Sequence, residues 1–306
     1  MSAEIEIIDP SFADAVRPDS RLERLASPAI WAEGPVWLPD RDVVVFSDVK
    51  GNRMFAWSER KGLEIFRQPS NYNNGNTLDR QGRLVSCEHG RRCVSRTEPD
   101  GRITVLAEKF DGRRFNSPND VVVKSDGSVW FTDPPYGIAG DDEGYKSESQ
   151  IVGCWVYRLE PDGGRLEAAV VDVQRPNGLA FSPDESILYV ADMSLVDFPR
   201  LGRRQITAYD LPEGGNPVNG RKLADIEPGI PDGFRVDREG RIFTSSDDGI
   251  QVVSPAGRLL GKIKVPERVS NCTFAGRNED TLYITATTSL YRIRLAARGV
   301  QYSHLL

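Results

Sequence analysis

Six times along this chain the same short pattern returns: a residue with a side-chain oxygen, a brief apolar strand, a turn, and a second strand. The units open at Glu33, Asn74, Asn119, Asn177, Asp232 and Asn271, and their second strands end at Asp48, Glu88, Asp133, Asp192, Ser246 and Ala286. Fourteen or fifteen residues separate the two marks in every unit. Turns such as Asp79-Arg80-Gln81-Gly82, Ser125-Asp126-Gly127 and Asp237-Arg238-Glu239-Gly240 sit between the strands. Gly tolerates positive φ there and Asp hydrogen-bonds its own backbone. Successive openings are 41, 45, 58, 55 and 39 residues apart. A period of about 40 to 50 residues with several strands per repeat predicts radial blades rather than a sandwich. The expected fold is therefore all-β, a six-bladed β-propeller in one domain over residues 1–306. The last unit has room for a third strand at Ser289 to Leu295 but little beyond it. Residues 1–30 are read as an N-terminal extension whose stretch Arg21 to Ser27 supplies the missing outer strand and closes the ring.

Composition narrows the partners. The 306 residues carry 45 acidic and 39 basic side chains, a net charge of −6, with no basic stripe. Nucleic-acid binding through phosphate contacts calls for the opposite balance. The longest apolar runs, such as Val43-Val44-Val45-Phe46, fall far short of the ~20 residues of a membrane helix. The acidic start, Met1 to Pro10, does not read as a signal peptide, so a cytoplasmic location is expected, with the periplasm as the alternative had a leader been removed. Cys87, Cys93, Cys154 and Cys272 show no CxxC spacing and are expected to be free thiols. With only His89 and His304, histidine-rich zinc sites are excluded, and there is no GxSxG elbow or glycine-rich phosphate loop.

The six opening residues would form a ring at one mouth of the central channel, where the innermost strands begin. All six carry a side-chain oxygen, and two are carboxylates. The same residue types also cap turns. As a set, two carboxylates and several amides converging on an axis suit a hard divalent cation such as Ca²⁺, which would balance the two charges. Without an ion, Glu33 and Asp232 would repel and one would hold a proton. The two longest intervals, Asp133 to Asn177 and Asp192 to Asp232, contain the insertions Pro134 to Gln150 and Met193 to Arg204. Both should emerge on the ring's face and shape a pocket. Asp141-Asp142-Glu143, inside the first, reads as a solvated turn.

The chain resembles the senescence marker protein/regucalcin/gluconolactonase family of six-bladed propellers. The resemblance rests on Ala32-Glu33-Gly34-Pro35-Val36-Trp37, Ser117-Pro118-Asn119-Asp120, Arg175-Pro176-Asn177-Gly178-Leu179 and Pro231-Asp232-Gly233. Asn74-Gly75-Asn76-Thr77-Leu78, Cys87-Glu88-His89-Gly90 and Phe131-Thr132-Asp133-Pro134-Pro135-Tyr136-Gly137 look closest to bacterial gluconolactonases. The resemblance implies Glu33, Asn177 and Asp232 as ligands of one divalent cation, Ca²⁺ first and Mg²⁺, Mn²⁺ or Zn²⁺ as alternatives. It implies Asp232 also as acid/base, and Asn119 as a contact to metal or substrate. Phe115-Asn116-Ser117-Pro118 departs from the Arg-containing stretch of animal members. The activity implied is hydrolysis of a sugar lactone such as glucono-δ-lactone. Asn74 and Asn119 would hold sugar hydroxyls, with His89 and Tyr136 lining the pocket. A hydrolase acting on organophosphates or other lactones at the same ring, and a non-catalytic metal-binding propeller, stay open on these residues.

Overall fold

The computed structural model describes residues 4–300 and 304–305. The expected domain limits 1–306 thus include residues 1–3, 301–303 and 306, which lie outside the described residues. Six antiparallel sheets form the blades of the propeller, five with four strands and one with five. In blade one the strands Ala32–Leu38, Val43–Asp48, Arg53–Ser58 and Gly62–Arg67 follow one another from channel to rim. Each predicted pair of strands is the inner pair of a blade. The predicted turns carry glycine where φ is positive, as at Gly82, Gly127 and Gly240.

Burial follows radius. Every residue of Ala32–Leu38, Asn73–Leu78 and Val269–Ala275 is buried, whereas the rim strand Gly62–Arg67 is half exposed. Apolar side chains fill the wedges between blades. Phe243 and Phe274, from blades five and six, meet edge to face at 5.2 Å within one such cluster. Each large side chain buried this way contributes about 1.5–3 kcal/mol.

The ring closes as the sequence predicts. Leu22–Ala26 pairs with Ser289–Arg294, so an N-terminal strand completes the blade built by the last three strands. The extension does one thing more: Ile5–Ile7 adds a fifth strand to blade five by pairing with Gly261–Ile263. Between them Phe12 is fully buried over Gly261, where a Cβ would sit 2.2 Å from its ring. Two of the predicted openings stand just outside their strands, since blades three and five begin at Val121 and Phe234. Asn119 is still tied into the blade, its N–H donating to the Thr132 carbonyl at 2.8 Å. Among the described residues no helix is long and apolar enough to cross a membrane, and all four cysteines are free.

Candidate functional site

Two local devices turn the opening residues toward the axis. Bulges interrupt the inner ladders between Glu33 and Val36, Asn73 and Asn76, and Pro176 and Leu179. A bulge bends its strand and re-aims a side chain. The glycine that follows four of the six opening residues, Glu33, Asn74, Asn177 and Asp232, lets the next blade approach. A Cβ on Gly34 would lie 2.0 Å from the Asn74 carbonyl oxygen, and one on Gly178 would lie 2.4 Å from that of Asp232. Gly178 N–H donates to that Asp232 oxygen at 2.9 Å, and Gly75 N–H to the Asn119 carbonyl at 2.8 Å. The Glu-Gly, Asn-Gly and Asp-Gly pairs are therefore the joints between neighbouring blades.

In three blades a carboxylate at the end of the second strand holds the chain entering the ring position. Asp48 Oδ1 accepts from the N–H groups of Ile30 and Trp31. Asp133 Oδ2 accepts from Asn116 N–H at 2.8 Å, and Asp192 Oδ1 from Arg175 N–H at 3.3 Å. Asp133 is wholly buried, which raises its carboxyl to about 7. Sequence reading took these acids only as strand ends, although their recurrence at one repeat position was the available signal.

The result is a cavity of about 270 Å³ at one mouth of the channel. Glu33, Asn74, Asn119, Tyr136, Asn177 and Asp232 all line it. The five ring members among them are buried, at no more than 6% exposure. Glu33 Oε2 accepts from Gly34 N–H at 2.8 Å. Burial first, and the nearby Asp232 charge second, push the Glu33 carboxyl well above the usual carboxylate range. Burial raises Asp232 to about 7, against Arg268, whose positive charge acts to lower it. Asn177 Nδ2 lies 2.7 Å from Met193 Sδ, leaving the amide oxygen for other partners. The Tyr136 hydroxyl is buried with no hydrogen-bond partner among the described residues, and burial raises its pKa.

Two expected members are placed differently. His89 does not line the cavity; it is fully buried behind Asn74. Its Nδ1 is 3.1 Å from the Glu143 carbonyl and its Nε2 is 3.3 Å from Asn74 Nδ2. With Nδ1–H donating, Nε2 accepts from the amide, and Asn74 is left with its oxygen for the cavity. Burial holds the imidazole neutral, with a pKa down to about 4. Asn271 sits in the ring but outside the cavity lining. Its Oδ1 accepts from Cys272 N–H, and its Nδ2 donates to Glu33 Oε2 at 3.3 Å. It supports a carboxylate rather than offering an oxygen to the axis.

Six lining residues were not read from the sequence: Trp31, Lys50, Glu143, Met193, Val196 and Arg268. Trp31 and Arg268 each directly precede an inner strand, and their side chains stack at 5.8 Å. Lys50 and Met193 follow second strands. The positional rule that gave the ring thus reaches them too. Glu143 corrects the expected solvated turn: it lines the cavity, and Lys50 pairs with it at 3.5 Å and with Asp142 at 2.9 Å. Both insertions do reach the cavity, one through Tyr136 and Glu143, the other through Met193 and Val196. Among the described residues no group of three or more His, Cys, Asp or Glu side chains is gathered as a metal site. The donors here are two carboxylates with neighbouring amides.

Fold and cavity together define a six-bladed propeller with a carboxylate- and amide-lined site at one mouth of its channel. Its sequence places it more narrowly. The profile of the SMP-30/Gluconolactonase/LRE-like region matches residues 31–288, and the chain belongs to that family. It is 34% identical to the gluconolactonase of Zymomonas mobilis over 302 residues, covering 91% of this chain and 82% of that protein. It is 28% identical to the pentonolactonase XacC of Haloferax volcanii, covering 83% and 80% of the two chains. The solved structure of a gluconolactonase from Xanthomonas campestris superposes with a TM-score of 0.89 at 38% identity, covering 95% of this chain and 94% of that one.

Proposed function

We propose that this protein is a divalent-cation-dependent lactone hydrolase that opens a sugar lactone of the glucono-1,5-lactone type to its aldonic acid. The observation that carries the reading is the meeting of Glu33 and Asp232 in one buried cavity with Asn74, Asn119, Asn177 and Tyr136. Two buried carboxylates whose protons are held by desolvation are costly as neighbouring anions. An ion of charge two offsets that cost, and an all-oxygen donor set favours a hard cation, Ca²⁺ before Mg²⁺, Mn²⁺ or Zn²⁺. Glu33, Asn177 and Asp232 would hold it. When bound, the cation would polarise the lactone carbonyl as a Lewis acid.

The side chains account for the rest. The Asp232 carboxylate accepts a proton from the attacking water and returns one to the ring oxygen as the acyl–oxygen bond breaks. Asn74 and Asn119 hold sugar hydroxyls, and the Tyr136 hydroxyl supplies a further hydrogen bond from the cavity wall. Glu143, from the first insertion, and Lys50 shape one side of the cavity. The names of the lactonases among its relatives support the reaction class. The test is a lactonase assay on chelator-stripped protein refilled with Ca²⁺, Mg²⁺, Mn²⁺ or Zn²⁺ in turn, on gluconolactone, a pentonolactone and an organophosphate. Turnover should vanish on stripping, return with one cation, and be absent in a folded Asp232→Ala variant. Full turnover by the stripped protein would refute the reading.

A further inference from the structure

Directly beneath the ring the channel holds an ion pair. Asp120 and Arg235 are 1% and 4% exposed, and Arg235 Nη1 is 3.5 Å from Asp120 Oδ2. Asp120 directly precedes the inner strand of blade three and Arg235 lies on that of blade five. Blade four stands between those two, so the pair spans the channel rather than a blade joint. Asp120 Oδ1 accepts from Val121 N–H at 2.8 Å. Its carboxylate also accepts from the Asn271 side chain of blade six. Asn271 Nδ2 in turn donates to Glu33 Oε2 at 3.3 Å. One hydrogen-bonded chain thus runs from Arg235 through Asp120 and Asn271 to a carboxylate of the cavity. On its other side Arg235 borders a second cavity, of about 130 Å³, walled partly by Gly299, Val300 and His304.

The charges decide what this chain is for. Three carboxylates, Glu33, Asp232 and Asp120, converge in the channel with the buried Arg235 guanidinium, while the other cations at the cavity face carboxylates of their own, Arg268 with Asp247 at 3.3 Å and Lys50 with Asp142 and Glu143. A guanidinium keeps its proton in any protein environment. If it balances Asp120, the surplus left at the ring is that of Glu33 and Asp232, which matches one divalent ion.

We propose that Arg235 is the channel's resident counter-charge: by neutralising Asp120 it sets the charge that the ring presents to its cation. The proposal rests on the cation-site reading above. Arg235 acts through Asp120 and touches no reacting atom, so it is a positioning residue. It differs from a purely structural ion pair in one respect. Removing either partner of a structural pair harms the site, whereas here the two removals act in opposite directions and cancel.

The experiment is isothermal titration of chelator-stripped protein with CaCl₂, with thermal unfolding run beside it. D120N removes the negative charge that faces Arg235 beneath the ring while keeping the positive one, and should weaken Ca²⁺ binding about tenfold or more. D120N/R235M removes both charges and should return to within about threefold of the parent Kd. A double variant that binds no better than D120N overturns the proposal. Should D120N fail to fold, R235K and R235M carry the test. R235K should keep the parent Kd, and R235M should bind Ca²⁺ about tenfold more tightly; equal Kd values for the two overturn it. A parent protein that takes up no divalent cation overturns the site reading itself. Parent binding without recovery in the double variant overturns only the role of Arg235.

Discussion

His89→Gln offers a measurement that separates a buried positioning residue from an ionising one. His89 is fully buried between Asn74 and the Glu143 carbonyl, and its imidazole titrates near pH 4 rather than at the ordinary 6.5. The unfolded chain therefore binds a proton at His89 before the folded chain does. Its contribution to stability is complete above about pH 6.5 and is lost as pH falls toward 4. Between pH 7 and pH 5 the two values give a loss of about 2 kcal/mol from this one residue. Gln keeps a donor for the Glu143 carbonyl and an acceptor for Asn74 Nδ2 but has no proton to gain. The variant should be somewhat less stable than the parent near pH 7. Its stability should then fall by about 2 kcal/mol less on going to pH 5. Urea unfolding at both pH values, parent and variant side by side in the same buffers, isolates the difference because every other titrating group is common to both. Identical losses in the two proteins would refute the neutral, buried assignment. The same variant should raise KM more than it lowers kcat, since it disturbs Asn74 and no reacting atom.

Three other outcomes are expected. Tyr136→Phe removes a hydroxyl with no hydrogen-bond partner among the described residues, so unfolding should be unchanged while KM for the lactone rises by up to about tenfold, as for one lost hydrogen bond. Gly178→Ala brings a Cβ to 2.4 Å from the Asp232 carbonyl oxygen, and should cost about 1–3 kcal/mol in urea unfolding and depress turnover through Asp232. Deleting residues 1–27 strips the outer strand of blade six and the fifth strand of blade five, baring Ile263 and Ile293. Dye binding and loss of soluble protein should report the open edges.

Much of the fold was legible because a propeller repeats its physics. Each blade needs the same inner pair of strands, and the polar residue opening that pair is locally anomalous, since fully buried strands are otherwise apolar. That anomaly located the ring from the sequence. The fifth strand, Ile5–Ile7, was not legible. It belongs to no repeat, and its partner strand lies more than 250 residues away along the chain. Pairing at that separation leaves no local signal, whereas Leu22–Ala26 could be inferred because the last unit lacked a strand.

The site was legible only as far as the repeat reached. Glu33, Asn177 and Asp232 share a repeat position and share the cavity. Asn271 shares the position too, yet its amide turns to Glu33 and Asp120 instead of the axis. What distinguishes it is the residue that follows. Asn271 is followed by Cys272, whose N–H takes the amide oxygen, while Asn177 is followed by Gly178, whose N–H is committed to the neighbouring blade. Asn119 is followed by Asp120, and that carboxylate is drawn under the ring to meet Arg235. The residue after the opening position thus decides which further groups the channel must hold, although Asn119, followed by Asp120, still lines the cavity. Glycine makes a joint between blades, as at Gly34 and Gly178, and at Gly34 its N–H also donates to the side chain before it. Any other residue adds a polar or bulky group that the channel has to accommodate. In this chain that accommodation is an arginine placed at the fourth position of Asp232-Gly233-Phe234-Arg235, two blades beyond the Asp120 carboxylate it balances.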